Sequence, residues 1–318
     1  MQAPTDNPCF LTFMGVKYVL TDGQITENTD IAPLVYATNQ TMTEEQYRAL
    51  SFPDNQTSLL QKTVVPEGKA SHAAEDESLS RMRSCGFTLP ENHSPELTIH
   101  KTEKGYRIEA KEETTITAAL SGTRKTDTLF ALAFDVDNKR PGRDMYIRMQ
   151  GQTNRLSTAH EYANHNTDFT YMVTLQKGVS YVEIQLGPGS YEIENLKAFT
   201  GNLDALKNPD LYASACDTIK QKDGGDTLEG TLEVQNDGFF ITSIPYDANF
   251  TLLIDGKKAE LLKVNTAFVG AKITKGKHRI TLSYHAPGKL AGFALSLAGL
   301  LLLLIPCALR RERTGKKS

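Results

Sequence analysis

LTIHKTEKGYRIEAKEETTITAAL, residues 97–120, alternates apolar and polar positions in three short runs separated by charged or glycine-bearing breaks. Alternation of period two sends successive side chains to opposite faces of a strand, so the pattern predicts half-buried strands. The same texture continues in TLFALAFDVD (128–137), DMYIRMQG (144–151), FTYMVTLQKG (169–178) and SYVEIQLGPGSYEIENLKAFT (180–200). Many short strands at turn-bounded intervals point to a β-sandwich or jelly roll over residues 97–201.

A second set follows in TLEGTLEVQ (227–235), GFFITSIPYD (238–247), FTLLIDGKKAELLKV (250–264), AFVGAKITKG (267–276) and KHRITLSYHAPG (277–288). Asp255-Gly256 within it is a hairpin-turn pair. Residues 225–288 are therefore expected to form a second, smaller sandwich. Between the two sets a helix is expected over residues 203–219, inside a helical connector spanning 202–224. Upstream, residues 1–70 read as a small α/β region. FLTFMGVKYVLTDGQ (10–24) is an apolar run ending in a strand and a turn at Asp22-Gly23, and short helices are expected over 44–50 and 57–64. Thr43 with Gln46 three residues on makes a capping box for the first. PEGKASHAAEDESLSRMRS (66–84) has no apolar period, and a linker is expected over 71–96.

The chain has 318 residues, enough for roughly two domains at about 150 residues each. Its 39% hydrophobic and 23% charged content describe a water-facing globular body. One segment departs from that: LAGFALSLAGLLLLLIPCAL, residues 290–309, carries no charge. At about 1.5 Å per residue such a helix crosses the roughly 30 Å hydrocarbon core. A transmembrane helix is expected over 289–309, followed by a basic tail over 310–318. Arg310, Arg311, Arg313, Lys316 and Lys317 stand there against Glu312 alone, the excess that marks a cytoplasmic end. The body is then extracytoplasmic, in contact with the bilayer through its last helix. MQAPTDNPCF at the N-terminus has no basic, apolar and small-residue export sequence. Two readings stay open: the chain is the end of a longer polytopic protein, or the charge rule misleads and the body is cytoplasmic.

The formal net charge is −3, and the tail's surplus of four basic residues leaves −7 for residues 1–309. This excludes a basic field for nucleic acid and makes capture of a polyanion by overall charge unexpected. Cys9, Cys85, Cys216 and Cys307 lie far apart without metal-ligand or redox spacing; the first three are read as buried free thiols, with a disulfide between two of them as the other reading.

Residue patterns with chemical potential are few. His160 and His165 flank HEYANH, but a zinc-protease pair needs imidazoles four apart on one helix face, so a polar loop is expected. Asp135 and Asp137 could share a hard cation if other oxygens joined them; Asx-turn chemistry is the other reading. Gly187-Pro188-Gly189 lacks the glycine and helix of a dinucleotide site and reads as a hairpin turn. Tyr171, Tyr181, Tyr191 and Tyr246 could stack on sugar rings or simply pack. Sequons begin at Asn39, Asn55, Asn92 and Asn249 and matter only in a eukaryotic secretory route. No GxSxG or other nucleophile context is present, and no catalytic, cofactor-binding or metal-binding residue is expected.

Residues 238–288 followed by a leucine-rich run carry a resemblance. Pro245, Tyr246, Asp247, Asp255, Gly256, Lys257, Asn265, Phe268, Gly270, Gly276, His278, Tyr284, Pro287 and Gly288 stand where the YfhO family of bacterial membrane proteins has them. Gly15, Val16, Lys17, Tyr18, Val19 and Leu20 resemble that family's lGvKYvl stretch, and residues 55–64 another. Phe250 departs from it, where the family has Trp; this chain has no Trp at all. The resemblance implies kinship with GT-C glycosyltransferases, which transfer sugar from a polyprenyl-phosphate donor on the outer membrane face, here onto lipoteichoic acid or other cell-wall polymers. The acidic catalytic residue of such enzymes lies in an outer loop after a first membrane helix, which this chain does not contain. The chain is thus expected to be a non-catalytic portion partnering the membrane-embedded transferase core and a wall polymer. The alternative is a stand-alone membrane-anchored carbohydrate-binding or adhesive β-sandwich protein.

Overall fold

The computed structural model describes residues 7–21, 23–29, 31–68, 79–140, 142–158, 161–216 and 219–315. Strands dominate, and they form two sandwiches. In the first, one sheet runs in the order Asp168–Leu175, Thr128–Asn138, Gly189–Asn202, Gly105–Ala110, Leu97–Lys101 and Asn92–His93, with Arg83–Ser84 against the third of these. The facing sheet runs Gln152–Leu156, Met145–Met149, Tyr181–Leu186, Thr114–Leu120 and Phe87–Thr88. Short strands from residues 83–93, within the expected linker, therefore serve as edges. Residues 71–78 of that linker lie outside the described residues.

The alternation does what its period demands. Tyr106, Ile108 and Ala110 from one sheet meet Ile116, Ala118 and Leu120 from the other in one core, and the intervening residues face out. Strand Thr128–Asn138 is different, being buried on both faces at residues 128–132. Phe130 and Leu132 enter the sandwich core. Leu129 and Ala131 turn the other way and pack with Cys9, Leu60, Met82 and Leu206. That two-sided burial is why TLFALAF reads as a continuous apolar run. Each fully buried side chain of this size contributes roughly 1.5–3 kcal/mol.

The second sandwich is completed from outside its own stretch of sequence. One sheet is Ile219–Lys222, Thr227–Val234, Gly276–Tyr284, Phe250–Ile254 and Lys257–Lys258. The other is Ser214–Ala215, Val35–Thr38, Gly238–Pro245, Phe268–Ile273 and Leu262–Val264. Val35–Thr38, from the N-terminal region, pairs antiparallel with Gly238–Pro245 in an interior position. Its Val35 and Ala37 join Leu232, Phe240, Leu252 and Ile280 between the sheets, while Tyr36 joins Phe239 and Ile241 on the outer face.

Helix α1, Pro8–Phe13, is capped by Asn7, whose Oδ1 accepts from the Phe10 N–H. Cys9 lies against the first sandwich, and Phe13 and Met14 lie against the second. Helix α2, Glu44–Arg48, has the expected capping box at Thr43. The helix expected over 57–64 is replaced by α3, Asp54–Thr57, a 3-10 turn Ser58–Leu60 and a strand Thr63–Val65. The β-branched Thr63, Val64 and Val65 pair in parallel with Thr41–Thr43, which suits their stiff side chains better than a helix does.

The helix expected over 203–219 is also absent. Two 3-10 turns, Asp204–Leu206 and Pro209–Tyr212, are followed by Ser214–Ala215 and Ile219–Lys222. Pro209 forces Asn208 out of the helical region, to φ −104° and ψ 109°, where its side chain accepts from the Asp210 N–H. Helix α4, Lys289–Gly315, is the last described element and has 27 residues. Among the described residues no helix is long and apolar enough to cross a membrane. The side chains at 303 and 305–315, including much of the expected span, Cys307 and the tail's arginines, lie outside the described residues, as do Lys316 and Lys317 altogether.

Candidate functional site

Asp135 and Asp137 are two residues apart on strand Thr128–Asn138, facing away from the core side chains Phe134 and Val136. Each meets a protein partner. The Asn195 side-chain amide donates to Asp135, at a β-bulge between Ala133 and Asp135 where Asn195 has φ +53°. The Lys139 ammonium pairs with Asp137, and it also reaches Glu192 at 3.0 Å. Arg107 Nε donates to Glu192 at 2.7 Å. Lys139 first, and Arg107 second, hold the Glu192 carboxyl below the usual carboxylate range. The Asx turn belongs to the neighbouring residue: Asn138 Oδ1 accepts from the Arg140 N–H at 3.0 Å. Among the described residues no three His, Cys, Asp or Glu side chains are grouped to hold a metal.

His160 lies outside the described residues. His165, at φ +47°, stands in a loop that Asn164 organises by accepting from Ser157 N–H and donating to the Arg155 carbonyl. Gly187-Pro188-Gly189 is not a hairpin turn. It joins Tyr181–Leu186 to Gly189–Asn202, which lie in opposite sheets. A Cβ on Gly187 would stand 2.7 Å from the Tyr146 carbonyl oxygen, so glycine is required where the crossing grazes that strand. Of the four tyrosines, Tyr171 and Tyr191 are core residues and no platform. Tyr171 donates to the Ile147 carbonyl at 2.8 Å. Tyr181 is exposed, and Tyr246 carries the Lys263 ammonium 5.5 Å from its ring centre. Among the described residues Cys9, Cys85 and Cys216 form no disulfide, and the Cys216 thiol donates to the Thr231 carbonyl at 3.2 Å.

Two clefts remain. The first, about 350 Å³, opens at the end of the first sandwich beside the Gly187–Gly189 crossing, with Thr98, Glu109, Lys111, Asn138, Arg140 and Arg143 on its walls. Charges of both signs line it. The second, about 430 Å³, lies at the end of the second sandwich, with Lys257, Lys258, Lys272, Asp237, Thr274 and His278 around it. Its geometry starts from the Asp255-Gly256 turn, where both residues have positive φ, +53° and +76°. Asp255 Oδ1 accepts from the Arg279 N–H at 2.8 Å, and Oδ2 meets His278 Nδ1 at 2.7 Å. His278 Nε2 in turn meets the Thr274 carbonyl at 2.9 Å. The Arg279 N–H, then His278, hold the Asp255 carboxyl below its usual range. Asp237 Oδ1 accepts from the Lys275 N–H at 2.6 Å.

Asp237 and Asp255 are engaged in turns and Lys257 also acts on Asp255 through its charge, while among the described residues Lys257, Lys258 and Lys272 make no ion pair within 4 Å; Phe239, Ile254 and Ile273 give the cleft an apolar floor. Three ammonium groups around a cleft can hold a phosphate or carboxylate as point charges. Charge counted over the whole chain hid this. Lys257 and Lys258 belong to one sheet and Lys272 to the other, and only the packing of the sheets joins them.

The residues that carried the family resemblance are mostly architectural. Gly270 could not hold a Cβ, which would meet Val264 Cγ1 at 2.5 Å and the Phe240 carbonyl oxygen at 2.8 Å. Asn265 sits at φ +46°. Pro245 pairs with Phe268, and the Phe250 and Tyr284 rings lie 4.9 Å apart. His278 and Lys257 alone among them border the second cleft.

A family model described as bacterial membrane protein YfhO matches residues 15–296. The Bacillus subtilis (strain 168) protein called "Uncharacterized protein YfhO" is 29% identical over 135 residues, covering 42% of this chain and 15% of that protein. The match thus spans a small part of the relative's length. Among solved structures, a carbohydrate binding module from Cellvibrio mixtus lichenase 5A, in complex with cellotriose, is 9% identical with a TM-score of 0.27, covering 38% of this chain and 100% of that one. A Paenibacillus sp. cycloisomaltooligosaccharide glucanotransferase is 9% identical with a TM-score of 0.19, covering 71% of this chain and 48% of that one. TM-scores this low support no inference about ligand.

Proposed function

This chain belongs to the YfhO family of bacterial membrane proteins, and on that premise we propose that it is a non-catalytic, extracytoplasmic C-terminal portion of such a protein. Its work is to hold an anionic cell-wall polymer, such as lipoteichoic acid, while a membrane-embedded transferase core adds sugar from a polyprenyl-phosphate donor. Helix α4 crosses the membrane in this reading and its basic end lies in the cytoplasm. The uncharged run of residues 290–309 and the basic residues after it support that placement.

The observation that carries the reading is the lysine cleft. Lys257, Lys258 and Lys272 offer positive charge locally on a chain of net charge −3. A phosphodiester polymer presents repeated anions at which such a cleft is aimed. The cleft lies by His278, toward the start of strand Gly276–Tyr284, whose other end leads to α4. At about 3.3 Å per residue this sets it roughly 20 Å from the membrane end of that strand, within reach of a wall polymer and away from lipid headgroups.

The test is calorimetric titration of the full chain in nanodiscs with a glycerol phosphate oligomer. Binding that weakens with salt and falls about tenfold in Lys258→Ala/Lys272→Ala is expected. No binding by the unaltered chain at millimolar oligomer, or binding indifferent to both substitutions, overturns the reading.

A further inference from the structure

Two apolar surfaces leave the second sandwich at one end. One is α4, with Leu290 and Phe293 exposed. The other is the antiparallel hairpin of strands Tyr18–Thr21 and Gln24–Glu27. Leu20 stands directly opposite Ile25, and Tyr18 lies two residues along the same face. These three are 70%, 72% and 57% exposed. Outside α4, the exposed large hydrophobic residues among those described are Tyr18, Leu20, Ile25, Leu34, Tyr162 and Tyr181, so most fall between positions 18 and 34. Concentration of apolar surface in one place marks a contact site, whereas scattered single residues would not.

The hairpin is tied to the end from which α4 departs. Just before it, the Phe13 ring lies 5.8 Å from that of Phe268. Phe268 pairs with Pro245, and the adjacent Tyr246 N–H donates to the Ala267 carbonyl at 2.8 Å. Three residues on, the Asn249 carbonyl accepts from the His285 N–H at 3.1 Å, and α4 begins at Lys289. Leu34 sits at the same end, its carbonyl accepting from the Ser243 N–H. The base of the hairpin is fixed: Asn28 N–H donates to the Lys17 carbonyl at 2.7 Å, and its side-chain amide to the Val16 carbonyl at 3.1 Å.

We propose that this hairpin lies flat on the bilayer, with Tyr18, Leu20 and Ile25 in the boundary between headgroups and acyl chains. It is a second membrane contact beside α4, and rests on the reading that α4 is in the bilayer. The chemistry of the face fits that depth. Tyrosine favours the interface, and the Lys17 ammonium, 5.2 Å from the Tyr18 ring centre and 3.6 Å from Glu27, stands where headgroups would meet it. Contact through α4 alone would let the body turn about the helix axis. A second contact removes that freedom and gives the lysine cleft one orientation over the membrane.

The chain has no tryptophan, so one introduced residue reports alone. Three full-length variants, Leu20→Trp, Phe293→Trp and Tyr181→Trp, are placed in nanodiscs of phosphatidylcholine and phosphatidylglycerol with acyl chains brominated at shallow or deep positions. Strong quenching of Phe293→Trp is expected, with Leu20→Trp quenched several-fold more by shallow than by deep bromines and Tyr181→Trp unquenched. Leu20→Trp unquenched beside a quenched Phe293→Trp overturns the hairpin contact while leaving the membrane reading of α4 intact. Both unquenched overturns both. A blue-shifted but unquenched Leu20→Trp places a protein surface on the hairpin and likewise overturns the lipid contact.

Discussion

The Val64 N–H donates to Asn265 Oδ1 at 2.8 Å across 201 positions of sequence, and the Asn265 N–H donates back to the Val64 carbonyl at 2.7 Å. Both residues are buried. This reciprocal pair stitches the N-terminal region to the second sandwich, and it needs both a side-chain acceptor and a residue that tolerates φ +46°. Asn265→Ala leaves the Val64 N–H buried without an acceptor and loses about 1–3 kcal/mol. Asn265→Gly keeps the backbone geometry but still loses the bond. Both should lower the urea midpoint, and equal stability to the unaltered chain would refute the pairing's role.

Gly270 and Gly256 separate space from backbone conformation. Gly256 has φ +76° with nothing within 4 Å of an added Cβ, so Gly256→Ala costs only the strain of a left-handed residue, about 1–2 kcal/mol. Gly270 has no positive φ, but an added Cβ would collide with Val264 and the Phe240 carbonyl. Gly270→Ala is expected to cost at least as much, about 1–3 kcal/mol, through displaced strands. Thermal unfolding of both variants checks this, and an unchanged midpoint for Gly270→Ala counts against the packing described.

Tyr171 and Tyr191 titrate late. Burial is the first cause in both, pushing their hydroxyls well above the ordinary tyrosine value. A folded value raised above the unfolded one means that stability is fully present below about pH 10 and falls as pH rises beyond it. Tyr36 is raised by burial as well, so absorbance of tyrosinate should rise in two stages, exposed tyrosines first and the buried ones only with alkaline unfolding. A single smooth titration of all tyrosines in the folded state would contradict it.

Acid acts with the opposite sign. Glu192, Glu229 and Asp255 are held below the usual carboxylate range, first by Lys139, Lys222 and the Arg279 N–H respectively. A depressed folded value gives stability that is present above about pH 4 and lost as pH falls through the folded value. The melting temperature should drop below about pH 4. Glu192→Gln should flatten that drop, and an unaltered acid limb would argue against the contribution of its ion pairs.

Much of this arrangement was legible beforehand, and the failures are instructive. The two strand-rich stretches, the capping box at Thr43 and the Asp255-Gly256 turn follow from patterns a few residues long. The helix expected over 203–219 failed because Asn208-Pro209 outweighed the apolar spacing of Leu206, Leu211 and Ala215. Gly187-Pro188-Gly189 was legible as a turn, but whether it returned within a sheet or crossed to the other depended on strands elsewhere. The lysine cleft was hidden because its residues reach one another only across two sheets.

By itself the sequence determined most strands of the two strand-rich stretches and where they turn, and that residues 290–309 carry no charge. Side-chain period, positive-φ demands and hydrophobicity are all local properties. Only the tertiary structure decided which strand lies beside which: that Val35–Thr38 enters the second sandwich and that Lys257, Lys258 and Lys272 share a cleft. Strand pairing joins backbone N–H and C=O groups that nearly every residue carries, so a strand's own side chains announce its faces but not its neighbour. The neighbour is chosen by burial on both sheets at once.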